Sequence, residues 1–117
     1  MFKAGSTVFA LAAAALIWVA CEQSMSQPDT TGHTTSISVG NDFFEPKVDT
    51  VAVGSTVKWT NNGSEDHTTT SDTGAWDHQL ARGGTFSQQF NQAGTFAYHC
   101  RFHGSPGAGM SGVIVVR

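Results

Sequence analysis

The sequence predicts an all-β fold, an antiparallel sandwich or barrel. Three observations carry that expectation. Apolar and polar residues alternate with a period of two, as where Ile37 and Val39 are set against Ser36 and Ser38. Glycines, 13 in all, break the chain into short segments. No stretch carries a convincing amphipathic helical period.

The first part of the chain stands outside that fold. Met1 to Ala20 has one charge, Lys3, followed by an apolar run from Val8 to Ala20. This is the pattern of a secretory signal peptide over residues 1–20. The run is short for a transmembrane helix, which needs roughly 20 apolar residues, and a single N-terminal anchor is the alternative. The run ends at Trp18-Val19-Ala20-Cys21, which resembles a bacterial lipobox. Val19 and Ala20 fit that pattern, whereas Trp18 stands where a Leu-like residue is usual. The expectation is a lipidated Cys21 at the mature N-terminus, against ordinary cleavage nearby; either way the domain is exported. Glu22 to Gly32 is mostly Ser, Gln, Thr, Asp and Pro and forms no core, so residues 21–33 read as a lipid-attachment Cys and flexible tether. The folded domain is expected over 34–117.

Within it the strands follow in order. Ile37 and Val39 mark the first. Val48, Thr50 and Val51 continue β-prone chemistry after Pro46, and Val53-Gly54-Ser55 turns into the strand Thr56 to Thr60, with Val57 and Trp59 on one face. Asn61-Asn62-Gly63 ends it. Thr68 to Thr70 is β-branched, and Ala75 to Arg82 reads as one helical turn. Gly83-Gly84 precedes a strand from Thr85 to Phe90, Gly94 precedes Thr95 to Cys100, and Val113 to Val116 closes the chain. Phe43, Phe44, Trp59, Phe86, Phe90, Phe96 and Tyr98 are the expected core.

Composition excludes several functions. Lys and Arg total 6 against 9 Asp and Glu, for a net charge of −3, which argues against a nucleic-acid binder that tracks phosphates. Two cysteines build neither a disulfide-dense scaffold nor a pair of CxxC zinc knuckles.

Chemistry concentrates near the C-terminus. Cys100 ends a strand, His103 follows three residues on, and Met110 lies beyond the Gly-rich Gly104-Ser105-Pro106-Gly107-Ala108-Gly109. Taken singly, Cys100 reads as a small buried hydrophobe, His103 as a surface residue and Met110 as a core filler. Together on one loop they read as a metal site, with His67 supplying the fourth group. Two imidazoles and a thiolate with a weak thioether suit copper in both oxidation states. Zinc accepts two His and one Cys, but Met is a poor ligand for a structural zinc.

The quoted residues bear a resemblance to the cupredoxins, the small blue (type 1) copper proteins of the plastocyanin/azurin group, over about residues 35–117. Phe44-x-Pro46, then Val53-Gly54-Ser55-Thr56-Val57-Lys58-Trp59-Thr60-Asn61, then His67 is similar to the family's first half. Tyr98-His99-Cys100-x-x-His103, then Gly109-Met110-Ser111-Gly112-Val113-Ile114-Val115, is similar to its ligand loop and last strand. The resemblance implies a Greek-key β-sandwich of about seven to eight strands. It implies His67, Cys100, His103 and Met110 as ligands of one copper ion cycling between Cu(I) and Cu(II). Two departures stand out. Six residues separate His103 from Met110, more than in many relatives, and Thr68 follows the first His where plastocyanins often have Asn.

Strand alternation turns His99 away from Cys100. His78 is the rival of His67, and His33 belongs to the tether. Glu65 and Asp66 form either a solvated acidic turn or a rim that steers a cationic redox partner. Phe102, Pro106 and Ala108 are expected to form an apolar patch around His103. The leading function is a one-electron carrier between redox partner proteins, monomeric, periplasmic or membrane-tethered through Cys21. Copper handling is the alternative, weakened because the tether offers only Met25 and His33. An enzyme is not expected, because four protein ligands leave no open position for substrate. A Cys21–Cys100 disulfide would require the tether to fold back, and lipidation would forbid it.

Overall fold

The computed structural model describes residues 32–117. The expected signal peptide, Cys21 and nearly all of the tether lie outside the described residues. Nine strands make up the described part: β1 Thr34–Gly40, β2 Phe43–Glu45, β3 Val48–Val51, β4 Ser55–Asn61, β5 His67–Ser71, β6 Asp77–Leu80, β7 Thr85–Phe90, β8 Gly94–Ser105 and β9 Ala108–Val116. They form two sheets, ordered β2-β1-β4-β7 and β3-β9-β8-β5-β6. The β-sandwich is as expected, with slightly more strands than the seven or eight anticipated.

Two features differ from the sequence reading. The sheets are mixed, because β1 runs parallel to β4 and β3 runs parallel to β9. Side-chain alternation reports which face a residue occupies, and is silent about strand direction. Among the described residues there is no helix, and the turn expected at Ala75 to Arg82 contains β6, paired antiparallel with β5. Trp76 and Leu80 are buried four residues apart, which imitates a helical face, but Asp77, His78 and Gln79 between them are exposed on an edge strand.

The core lies between the sheets and centres on Trp59. Its ring meets Tyr98 edge-on at 5.3 Å and contacts Trp76 at 5.8 Å and Phe86 at 5.9 Å. Phe44 adds an edge contact to Tyr98 at 4.6 Å. Each such aromatic pair stabilises the fold by about 0.5–1.5 kcal/mol beyond burial of its area. Phe43, expected in the core, is 52% exposed. It neighbours Phe44 on β2, and a strand turns only one of two adjacent side chains inward. Phe86 and Phe96 pack against the core while remaining partly buried. His33, assigned to the tether, is tied to β4 by its carbonyl, which accepts the Thr56 amide at 2.9 Å.

The β8–β9 hairpin positions the site. Its ladder runs residue for residue from Gly94↔Val116 to His99↔Ser111, then resumes at Gly104↔Gly109 and Ser105↔Ala108. Between these, Cys100 to His103 bulge out opposite Met110 alone. A bulge of this kind frees the strand to re-aim side chains.

Candidate metal centre

Three residues from two strands converge here. Cys100 follows Tyr98 and the alternation of β8, so its thiol points inward and is fully buried. His103 sits at the far end of the bulge, and His67 opens β5. The Cys100 sulfur lies 3.5 Å from His103 Nδ1 and 3.8 Å from His67 Nδ1, and the two Nδ1 atoms are 3.2 Å apart. One ligand atom from each of the three residues falls within 4.8 Å of the others.

An acceptor behind the ring assigns the tautomer of His67, and a carboxylate stands behind His103. His67 Nε2 lies 3.2 Å from Asn41 Oδ1, and that oxygen also accepts the Ser64 amide at 3.0 Å. The Ser64 amide can only donate, which fixes Oδ1 as the atom facing it, and Asn41 Nδ2 donates to Ser64 Oγ at 2.9 Å. His103 Nε2 lies 3.2 Å from Glu65 Oε1. An amide oxygen only accepts, so His67 Nε2 donates and its Nδ1 keeps a lone pair facing the sulfur, while the Glu65 carboxylate stands in ion-pair range of His103 Nε2. Burial, and then the neighbouring His103, hold the pKa of His67 below its ordinary value, against opposing pulls from Glu65, Asp42 and Asp66. The ring is therefore neutral and ready to donate electrons. Two ring nitrogens and a sulfur facing one another offer three donors to a cation, and the donor set fits copper.

The six residues between His103 and Met110 are absorbed as extra hairpin. Gly104 and Ser105 extend β8, Pro106-Gly107 makes the turn, and Ala108 and Gly109 return along β9. Gly107 has φ +75°, which suits the position after Pro in a tight turn. Met110 is thus returned opposite the bulge, facing inward and 1% exposed. Gly104 permits the close approach, since a Cβ there would fall 2.6 Å from the Met110 backbone nitrogen and oxygen.

Thr68 contacts the site in two ways. Its amide donates to the Cys100 sulfur at 3.3 Å, and its hydroxyl accepts the Arg101 amide at 2.8 Å. His78 lies away from the cluster, exposed and stacked on Phe86 at 4.5 Å. His99 turns to Asp72, 2.7 Å away. Asp66 is exposed and lies 3.3 Å from the Gln79 amide nitrogen. Phe102 is 48% exposed with the Arg101 guanidinium 5.6 Å from its ring centroid, and Pro106 and Ala108 are exposed.

Two contributors were absent from the sequence reading. Asn61, read there only as the end of a strand, is 1% exposed and organises the loop before His67. Its side chain donates to the Glu65 and Leu80 carbonyls at 2.8 and 2.9 Å and accepts the Gly63 amide at 2.9 Å. The signal was present, because Asn61 shares the parity of Val57 and Trp59 and so places a polar group on an apolar face. Asn41 had no local signal, since it reaches His67 across 26 residues of sequence.

The cupredoxin-like domain family matches residues 9–116. A plastocyanin of Scenedesmus fuscus is 37% identical over 86 residues, spanning 63% of this chain and 86% of that protein. The novel purple cupredoxin of Nitrosopumilus maritimus superposes with a TM-score of 0.62 at 26% identity, over 71% of this chain and 99% of its own. The Cu(I) form of an amicyanin variant gives 0.59 at 25% identity, over 80% and 88%. A β-sandwich with two histidines and a cysteine gathered beside a bulge, joined to a family match over most of the sequence, places this chain among the cupredoxins, the small blue copper proteins.

Proposed function

We propose that the protein is an exported one-electron carrier, with His67, Cys100, His103 and Met110 holding a single copper ion. The bound copper supplies the reversible Cu(I)/Cu(II) couple. The observation that carries this reading is the convergence of two Nδ1 atoms on the buried Cys100 sulfur. Acceptors behind the rings and the Thr68 amide at the sulfur hold these donors in place, so little rearrangement accompanies electron transfer. Four protein donors leave no position for a substrate, so the reading is a carrier and no enzyme.

His103 is 25% exposed and forms the edge nearest solvent among the three clustered residues. Phe102, whose ring centroid lies 6.4 Å from that of His103, would form an apolar docking surface there with the exposed Pro106 and Ala108, while Asp42, Glu65 and Asp66 supply negative charge suited to a cationic redox partner. In this reading the carrier is a monomer, held at a membrane by lipid on Cys21 and facing the periplasm or cell exterior.

Adding Cu(II) to the purified domain should give an intense blue thiolate-to-copper absorption that Cys100→Ser abolishes. A colourless wild type, or colour surviving the substitution, overturns the assignment. His67→Ala should remove the colour and His78→Ala should retain it. Met110→Gln should lower the midpoint potential if Met110 is the axial donor. Cys21→Ser should move the protein from the membrane fraction to the soluble one.

A further inference from the structure

The Thr68 hydroxyl continues away from the metal site into a closed circuit. Thr68 Oγ1 accepts the Arg101 amide at 2.8 Å and lies 2.9 Å from Thr70 Oγ1. Thr70 Oγ1 donates to Asp77 Oδ1 at 2.8 Å. The same carboxylate oxygen receives Arg101 Nε at 3.0 Å. Donation must run from the Arg101 amide through Thr68 and Thr70 to the carboxylate, because Thr70 spends its proton on Asp77 and so accepts from Thr68, while Arg101 Nε donates to the same oxygen from the other side. The circuit therefore begins and ends on Arg101, the residue after Cys100.

We propose that Thr70 and Asp77 are positioning residues for the metal site, closing a hydrogen-bonded ring through Thr68 that clamps Arg101 and thereby fixes the Cys100 sulfur. The need for a clamp follows from the bulge. Arg101 lies where β8 has left its ladder with β9, and the β5 ladder reaches β8 only at His99 and Tyr98. The Arg101 amide accordingly has a side-chain acceptor in place of a ladder partner. Each hydroxyl in the ring is polarised by the next, and the chain ends on an anion, which makes Thr68 Oγ1 a stronger acceptor than an isolated hydroxyl. The Thr70 hydroxyl and then Arg101 hold the Asp77 carboxyl below its ordinary pKa, consistent with a charged terminus. Thr68 is fully buried and Thr70 is 9% exposed, so water competes little for the inner bonds. The Arg101–Asp77 pair is exposed and weak alone; its role is to complete the ring.

The inference rests on the copper reading, and its test keeps the two separable. Thr70→Val opens the ring without removing a charge, Thr70→Ser keeps the hydroxyl, and Asp77→Asn removes the anion from an exposed position. In the metal-free proteins, Thr70→Val should speed hydrogen exchange at the Arg101 amide about tenfold. It should also shift the Thr68 amide proton upfield as the bond to sulfur loosens, while Thr70→Ser behaves as wild type and Asp77→Asn falls between. With Cu(II) added, Thr70→Val should alter the thiolate charge-transfer band and slow electron self-exchange by roughly threefold, with Thr70→Ser restoring both. Wild-type exchange at Arg101 in Thr70→Val overturns the ring. Faster exchange with an unmoved Thr68 proton, or with an unchanged band and self-exchange rate, reduces it to scaffolding and overturns the positioning role. A colourless wild type defeats the copper reading, while the metal-free measurements still decide the clamp.

Discussion

The two halves of β8 follow different rules. From Gly94 to His99 each residue has a partner on β9, alternate side chains enter the core, and Tyr98 packs edge-on against Trp59. From Cys100 to His103 the pairing is given up, and four residues face Met110 alone. The regular half gains stability from ladder bonds and buried apolar area. The irregular half sacrifices ladder bonds so that sulfur and imidazole approach one point, and polar side chains from elsewhere restore what was lost. Stability and chemistry are thus separated along a single strand.

That separation can be broken by substitution. Trp59→Ala, which strips from β4 the ring that packs on Tyr98 in the regular half, should cost about 3–5 kcal/mol in denaturant unfolding. Cys100→Ser should leave the unfolding midpoint of the metal-free protein near wild type while abolishing the blue band. If Cys100→Ser unfolds the domain as Trp59→Ala does, the two halves are not independent. Gly104→Ala lies where the ladder resumes and should do both kinds of damage. Its Cβ meets the Met110 backbone, so a cost of about 1–3 kcal/mol is expected together with a changed copper spectrum.

Smaller effects sharpen the picture. Asn41→Leu leaves His67 Nε2 without its acceptor and should weaken copper affinity by roughly 10–100-fold, read by competition with a chelator. Glu65→Gln retains an acceptor oxygen at a 58% exposed side chain, and should change affinity by less than about tenfold. The smallest effect is in pH. Asp77 has a folded pKa below the ordinary 3.8, so its contribution is present above that value and fades as pH falls through the lowered one. The stability gap between wild type and Thr70→Val should therefore narrow below about pH 4. A gap that stays constant under acid would show that the Thr70–Asp77 bond does not carry it.

Much of the fold was legible because side-chain parity is local. Val57 and Trp59, or Tyr98 and Cys100, declare a face within a few residues. Strand direction was not legible, since the β1–β4 and β3–β9 pairs join segments distant in the chain. The helical turn expected near Trp76 failed because Trp76, just before edge strand β6, and Leu80 on it are buried at a helix-like spacing. At the site, the spacing of Cys100, His103 and Met110 singled out the ligand loop, His67 after the Trp59 strand was named as the fourth group, and the resemblance implied the same four residues. The supporting acceptors were hidden for a physical reason. Asn41, Thr70 and Asp77 act through contacts made only once separate strands are laid side by side.

The Pro106-Gly107 hairpin has an evolutionary consequence. Because Gly104 pairs with Gly109 and Ser105 with Ala108, residues can be added or removed in matched pairs without turning Met110 off the bulge. A single insertion in one arm would reverse its facing, since side chains along a strand alternate. The spacing between the last histidine and the methionine is thus free to drift in even steps. The six residues between His103 and Met110 are one permitted length of this architecture, with arm parity the quantity under constraint.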